Sequence, residues 1–395
     1  MGRFSLALGG IAGVIVSVGA PLAIVETASG GQPEEVCARP LFETATPNAA
    51  LTGQFAAYGD DQKGRHWSGA DSTYSVRLPD GRLVWMFSDT FLGPVNSDHS
   101  RSPGSPFIHN SFVVQQGDSL STLYNSDAPD APEALLRPPR SNPRTDWYWV
   151  GGGAVTGDVL TVLYTQWHLP PASDDPLGDV QWRKNIAARY SLPELRLLGT
   201  DDLPSAVDRV ERGSWLLADG SYTYVYGVRD STTKSLVLAR VTGTDLRGRW
   251  EFRTATGWSA DEHDSAPLLE GVSNEYSVTK HGDTYVLVTH DTSTPFANQI
   301  VAYTSCSPDG PFTGRTVLYQ TPEGPLGTRY RSPASSHSST TVWSYNAHVH
   351  PTLSSDRQLV ISYNVNSTAD ADNYRDTTIY RPRFIDVPMT FNRAR

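Results

Sequence analysis

A short pattern returns five times along this chain: a turn containing Gly or Asp, then a run of alternating aromatic and aliphatic residues that ends in polar ones. The copies are DGRLVWMFSD from Asp80, TGDVLTVLYTQ from Thr156, DGSYTYVYGV from Asp219, HGDTYVLVTHD from His281 and DRQLVISYNV from Asp356, roughly 60 to 80 residues apart. Alternation is the period of a half-buried strand, and a turn between two such runs makes a hairpin. Each copy follows a shorter strand candidate, namely DSTYSVRL, WVGGGAV, GSWLLA, NEYSVTK and HVHPTL. A third β-rich run trails every hairpin: NSFVVQQ, NIAARYSL, SLVLARVTG, QIVAYTSC and TTIYRPRF. After four of these a fourth segment follows, such as LSTLYN, LRLLG, WEFRT or RTVLYQ. Three or four antiparallel strands repeated five times predict an all-β chain folded as a single-domain five-bladed β-propeller over residues 54–395. A pair of β-sandwiches also spaces its strands evenly but does not demand the same hairpin five times. No helix of three turns is expected, and the Pro/Gly/Ser-rich stretches 100–106, 127–143 and 170–176 read as loops.

Composition narrows the partners. A hydrophobic fraction of 38% with 19% charged residues is too apolar and too weakly charged for a disordered chain, and a mean hydropathy of -0.37 excludes a multispanning membrane protein. The net charge of -10 repels polyanions, so neither nucleic acid nor an anionic membrane is an expected partner. The apolar stretch from Leu6 to Val25 behind Arg3 makes residues 1–30 a secretory signal or an uncleaved N-terminal anchor, with 31–53 as an extension, and the domain is expected to be exported. Two cysteines, Cys37 and Cys306, leave no disulfide framework and no Cys-based zinc site; one long-range disulfide or two thiols are both open.

Propellers bind ligands where loops and inner strand ends meet at one mouth of the channel. With the first turn at Asp80 and Gly81, antiparallel pairing makes Asp71 and Asp89 cross-strand or diagonal neighbours. Two carboxyls that close disfavour joint ionisation and can divide acid and base or nucleophile roles. The same pairing in blade four sets Glu275 near Thr289 and His290, and in blade five sets His350 near Tyr363 and Asn364. Blade two offers Asp146, Trp147 and Trp149 before its hairpin and Trp167 after it. Aromatic rings beside carboxylates are the usual surroundings of a sugar, whose C–H faces stack while its hydroxyls need partners. Asp71, Asp89 and Glu275 are therefore the candidate catalytic residues, and Asp146, Trp147, Trp149, Trp167, His290, His350 and Asn364 the candidate binding residues. No GxSxG elbow, Walker loop, HExxH or dinucleotide fingerprint occurs, and the repeated Asp-box of sialidases is missing. This reading requires no cofactor; His348 and His350 could ligate a structural cation in the channel or hydrogen-bond near substrate.

The stretch WSGADSTYSVRLPDGRLVWMFSDTFLG, Trp67 to Gly93, resembles the opening blade of a family of secreted bacterial propellers long catalogued as of unknown function, whose relatives include endo-D-arabinanases that cut mycobacterial arabinan. The resemblance continues in NEYSVTKHGDTYVLVTHD, SPDGPFTGRTVLYQTPE and YNAHVHPTLSSDRQLVISYNVN, and so covers most of the chain after about Gln54. It implies a five-bladed propeller similar in architecture to glycoside hydrolase families 43 and 117, with the first-blade aspartates carried onto Asp71 and Asp89 and a His-Pro onto His350 and Pro351. Several relatives have Gly where this chain has Ala70 and Ser72. The expected function is a secreted glycoside hydrolase cleaving arabinofuranosyl or similar linkages in a cell-wall polysaccharide. The alternative is a non-catalytic carbohydrate-binding or surface-scaffold propeller.

Overall fold

A computed structural model describes residues 37–61, 64, 66–125, 131–170 and 180–391. The N-terminal stretch 1–36, where the export signal is expected, lies outside the described residues, as do parts of the loops at 127–143 and 170–176. The chain forms a five-bladed β-propeller. Each blade is an antiparallel sheet whose strands follow the chain from the first to the third, and in blades one to four the fourth strand follows too.

The inner strands are Tyr74–Arg77, Asp146–Thr156, Val210–Asp219, Tyr276–His281 and Val342–Val349. Each turns back into a second strand: Leu83–Phe87, Val159–His168, Tyr222–Arg229, Thr284–His290 and Gln358–Ser367. These are the five repeated hairpins. Their alternating residues pack between blades, where Met86, Val162, Tyr226 and Leu287 are fully buried. Burying a side chain of that size contributes about 1.5–3 kcal/mol, so a blade is stable only against its neighbours. Blades five and one meet through Ser75 Oγ, 2.7 Å from His350 Nδ1, and through Asn364 Nδ2, which donates to Thr73 Oγ1 at 2.9 Å.

Blade five differs from the sequence expectation at both outer positions. Its third strand is Arg383–Phe391 and begins after the expected TTIY segment, because Asp376 Oδ1 accepts from Thr378 N and Thr378 Oγ1 and folds Thr377–Tyr380 into a turn. Its fourth strand comes from the other end of the chain. Pro40–Phe42 pairs with Arg383–Phe391, Leu41 opposite Thr390, so part of the expected N-terminal extension is built into blade five. Cys37 and Cys306 are disulfide-bonded, tying that strand to the end of the third strand of blade four, Gln299–Ser305.

The absence of a three-turn helix is corrected by Ala49–Gly59. Asn48 caps it by accepting from Leu51 N at 2.9 Å, and Phe55 is buried against Trp67, Trp85 and Phe384. The segment AALTGQFAAYG hides its stripe because Ala dominates and Gly53 interrupts it, leaving tertiary burial of Phe55 to select the helix.

Candidate active site

The hairpin of blade one is interrupted where its carboxylates sit. A small sheet of Trp67–Ala70, Thr90–Leu92 and Phe107–Ile108 continues the hairpin beyond the blade, and the two parts join through Asp71–Thr73 on one side and Ser88–Asp89 on the other. Asp71 N donates to Asp89 O at 3.3 Å, so the two aspartates are cross-strand neighbours. Ser72 and Thr73 both hold positive φ, 68° and 67°. Two consecutive left-handed residues, one of them β-branched, are strained; such conformations concentrate at functional sites.

This kink lies at one mouth of the channel, over a cavity of about 530 Å³. Asp71, Glu211 and Glu275, from blades one, three and four, line it together with Trp149, Trp167, Trp343 and Tyr345. Tyr74 forms its floor. The ring stacks on His348 at 4.4 Å and its hydroxyl donates across the axis to Ser214 O at 3.1 Å, separating this cavity from one of about 440 Å³ at the opposite mouth.

Each buried carboxyl has its own partners. Asp71 Oδ2 accepts from Tyr345 Oη at 3.0 Å and Tyr380 Oη at 3.1 Å, while Oδ1 is buried without a hydrogen-bond partner. Burial, aided by the Asp89 charge, pushes Asp71 up to about 8 against the opposing pull of the two phenols. Glu275 Oε1 lies 2.7 Å from Ser72 Oγ and accepts from Asn346 Nδ2 at 2.8 Å, and its Oε2 has no hydrogen-bond partner. Burial and the charge of Asp71 hold Glu275 well above the usual carboxylate range. Ser72 Oγ is also 2.7 Å from Ser88 Oγ, which itself accepts from Val150 N at 2.9 Å. With one proton on its hydroxyl, Ser72 donates either to Ser88 Oγ or to Glu275 Oε1.

Glu211 was not singled out by the sequence reading. It stands at the start of the inner strand of blade three, where Asn274 Nδ2 donates to both its oxygens at 3.1 and 3.2 Å. Burial and Asp230 push it up to about 7. The readable signal was positional, since Glu211 precedes its hairpin turn much as Glu275 and Asp71 precede theirs.

The other candidates divide. Trp149 and Trp167 line the cavity, and Trp149 Nε1 donates to Asp89 Oδ1 at 2.9 Å. Asp89 stands behind the cavity lining, with His109 Nδ1 2.8 Å from the same oxygen. Trp147 stacks on His109 at 4.5 Å and packs with Trp167 and Trp182. Asp146 is paired with His168 Nδ1 at 2.8 Å at the outer edge of that group.

His290, His350 and Asn364 do not line the cavity: strand-end positions can be read from pairing, but the face each side chain takes also depends on bulges and on the loops that cover it. The bulge between Tyr345 and His348 turns His350 into the junction of blades five and one, between Trp85 and Phe384. Asn364 braces strained Thr73. His290 Nε2 donates to Ala297 O at 2.8 Å beneath a loop, and burial brings the imidazole down to about 4. His348 is spent on Tyr74 and on Thr73 O at 3.2 Å. Among the described residues no cluster of three or more His, Cys, Asp or Glu side chains is placed to hold a metal.

A family model described as a domain of unknown function, DUF5005, matches residues 53–390. The chain belongs to the DUF5005 family. No curated protein matches it in sequence. This DUF5005 chain superposes with a TM-score of 0.71 on a Bacteroides ovatus protein provisionally described as a hydrolase, at 23% identity over 87% of this chain and 90% of that one. The likeness is one of fold. The catalytic domain of a GH62 α-L-arabinofuranosidase from Coprinopsis cinerea gives a TM-score of 0.44 at 10% identity, covering 83% of this chain and 93% of that one. A GH43 enzyme of Xanthomonas citri complexed with xylose gives 0.44 at 15% identity, covering 87% and 93%. Scores at that level do not bear on the chemistry of the DUF5005 cavity.

Proposed function

We propose that this protein is an exported glycoside hydrolase that cleaves arabinofuranosyl or similar linkages of a cell-wall polysaccharide. The observation that carries the reading is the convergence of Asp71, Glu211 and Glu275, from three different blades, on one cavity walled by indole and phenol rings. Glycoside hydrolysis needs one carboxyl held protonated as acid and one available as base or nucleophile. Glu275 fits the acid. Its Oε1 already takes two partners, which leaves Oε2 to carry the proton, and burial keeps that proton in place. Asp71 fits the base or nucleophile: two phenols donate to one oxygen and stabilise its charge, and the other oxygen is uncommitted. Glu211 adds a neighbouring negative charge that raises Glu275 further. Asp89 acts on Asp71 in the same way. The Cys37–Cys306 bond accords with export, because disulfides persist in oxidising compartments.

The test is product release from plant L-arabinan, mycobacterial D-arabinan and galactan by the wild type, Asp71→Asn and Glu275→Gln. Cleavage of one polymer, lost in both variants, supports the hydrolase and names its sugar. Since Asp71 must be ionised to act, kcat/KM is expected to rise with pH through about 8. Binding of a glycan by wild type and variants alike, with no cleavage, would replace this reading with a carbohydrate-binding propeller.

A further inference from the structure

One side chain beyond the edge of the cavity carries two costs at once. Phe296, in the loop between the second and third strands of blade four, is 38% exposed and has a φ of 56°. An exposed phenyl ring leaves apolar surface in water, and the left-handed region disfavours a bulky side chain. Neither cost is offset by the core.

The loop is nevertheless built to hold the ring there. His290 Nε2 donates to Ala297 O at 2.8 Å, Asn298 Nδ2 donates to Thr321 O at 2.8 Å and to Gly324 O at 3.0 Å, and Ser293 N donates to Asp291 Oδ1 at 2.9 Å. Arg315 pairs with Asp291 at the start of the loop. Strained backbone persists only where its surroundings over-determine it, and such positions cluster at ligand-binding and active sites.

Phe296 meets Trp343 edge to face at 5.1 Å and 83°. Trp343 and Tyr345 share one face of the inner strand of blade five, their rings 4.5 Å apart, and both line the cavity. Tyr345 in turn donates to Asp71. A continuous line of rings therefore runs outward from the carboxyl proposed as base to an exposed phenyl at the rim.

We propose that Phe296 and Trp343 form a stacking platform for a sugar unit outside the cavity, on the blade-four and blade-five side of the carboxylates. This rests on the glycan reading above and adds to it that the ligand is a chain longer than the cavity, gripped by the C–H face of a distal residue. Flat rings at the edge of a polar cavity favour the apolar face of a sugar over a charged or purely hydrophilic group.

The test measures binding of the full chain carrying Asp71→Asn to an array of cell-wall polysaccharides and their size-fractionated oligosaccharides. The Phe296→Ala variant is expected to bind long chains about tenfold more weakly, with a loss that grows with oligosaccharide length, Trp343→Ala, which also removes part of the cavity wall, is expected to weaken short and long chains alike, and Phe296→Tyr is expected to restore affinity. Phe296→Gly relieves the left-handed backbone and is expected to keep or raise the Tm while losing the same affinity. Equal loss at every length in Phe296→Ala, or a lowered Tm in Phe296→Gly with unchanged binding, would overturn the platform and leave the hydrolase reading standing. Failure of the parent to bind any glycan on the array would overturn both.

Discussion

Ser72 shows how one residue can serve a site at the fold's expense. Its φ of 68° costs roughly 1–2 kcal/mol for an L side chain, and its hydroxyl stands within hydrogen-bond distance of both Glu275 and Ser88. Glycine accepts that backbone freely, so Ser72→Gly exchanges lost hydrogen bonds of about 1 kcal/mol each for relieved strain. Its Tm should stay within a few degrees of wild type while kcat falls at least tenfold as Glu275 loses its anchor. Ser72→Ala keeps the strain and loses the hydroxyl, and should melt below both. A Ser72→Gly protein with wild-type kcat would dissociate that hydroxyl from function. The carboxyls give a second residue-scale expectation. Asp71, raised from 3.8 to about 8, and Glu211, raised from 4.5 to about 7, both hold protons in the fold that the unfolded chain has released. Their contribution to stability is whole below about pH 4 and is lost as pH climbs through about 7 and then about 8. Calorimetry from pH 7 to 9, above the range in which buried imidazoles such as His290 and His348 alter stability, should show Tm falling, with Asp71→Asn flattening the slope and exceeding wild type at pH 9. A Tm that rises over this range would contradict the burial argument.

At the scale of strands, the cavity exists because inner strands are bulged at its mouth. Blade two shifts register between Val150 and Gly153, blade three between Glu211 and Trp215, and blade five between Tyr345 and His348. Bulges re-aim side chains, and these three turn Glu211 and Tyr345 towards the axis. Blades two and three touch there backbone to backbone: a Cβ on Gly151 would lie 2.1 Å from Gly213 O, whereas one on Gly213 would meet only Thr165 Cγ2, at 3.5 Å, and Gly151 Cα, at 3.9 Å. Gly151→Ala should therefore destabilise by about 3 kcal/mol and depress activity, while Gly213→Ala should stay within about 1 kcal/mol of wild type; denaturant unfolding of the pair measures both. The same bulges mark where the sequence stops being readable. Hairpins are local, so DGRLVWMFSD and its four counterparts announce themselves through turn and alternation, and Asp71 beside Asp89 follows from counting along one of them. A bulge breaks the count. His350 and Asn364 were therefore expected at the mouth and lie in a blade junction, and Glu211, at the head of an ordinary-looking GSWLLA strand, went unnoticed.

At the scale of the whole molecule, the ring of blades must be closed, and closure is what no local pattern announces. Pro40–Phe42 is three residues long and pairs with a strand some 350 residues away, so nothing in its neighbourhood marks it as part of blade five. Three residue pairs are a weak clasp, and the Cys37–Cys306 bond beside them joins positions 269 residues apart. Loop-closure entropy assigns a crosslink of that span an upper stabilisation of about 5 kcal/mol, with 2–4 kcal/mol typical. The bond joins the segment before Pro40–Phe42, the outer strand of blade five, to the end of the third strand of blade four, and neither cysteine lines the cavity of Asp71, Glu211 and Glu275. Paired Cys37→Ser and Cys306→Ser substitutions should accordingly lower the Tm by several degrees and speed loss of the folded state on heating, while the rate of glycan cleavage at 25 °C stays within twofold of wild type. The comparison is a melting curve with and without reductant beside the activity of the double variant. If reductant leaves the Tm of the wild type unmoved, the clasp of strand pairs and blade packing closes the ring by itself; if the double variant loses cleavage while still folded, closure reaches through blades four and five to Glu275 and Tyr345, and the ring must be treated as part of the site.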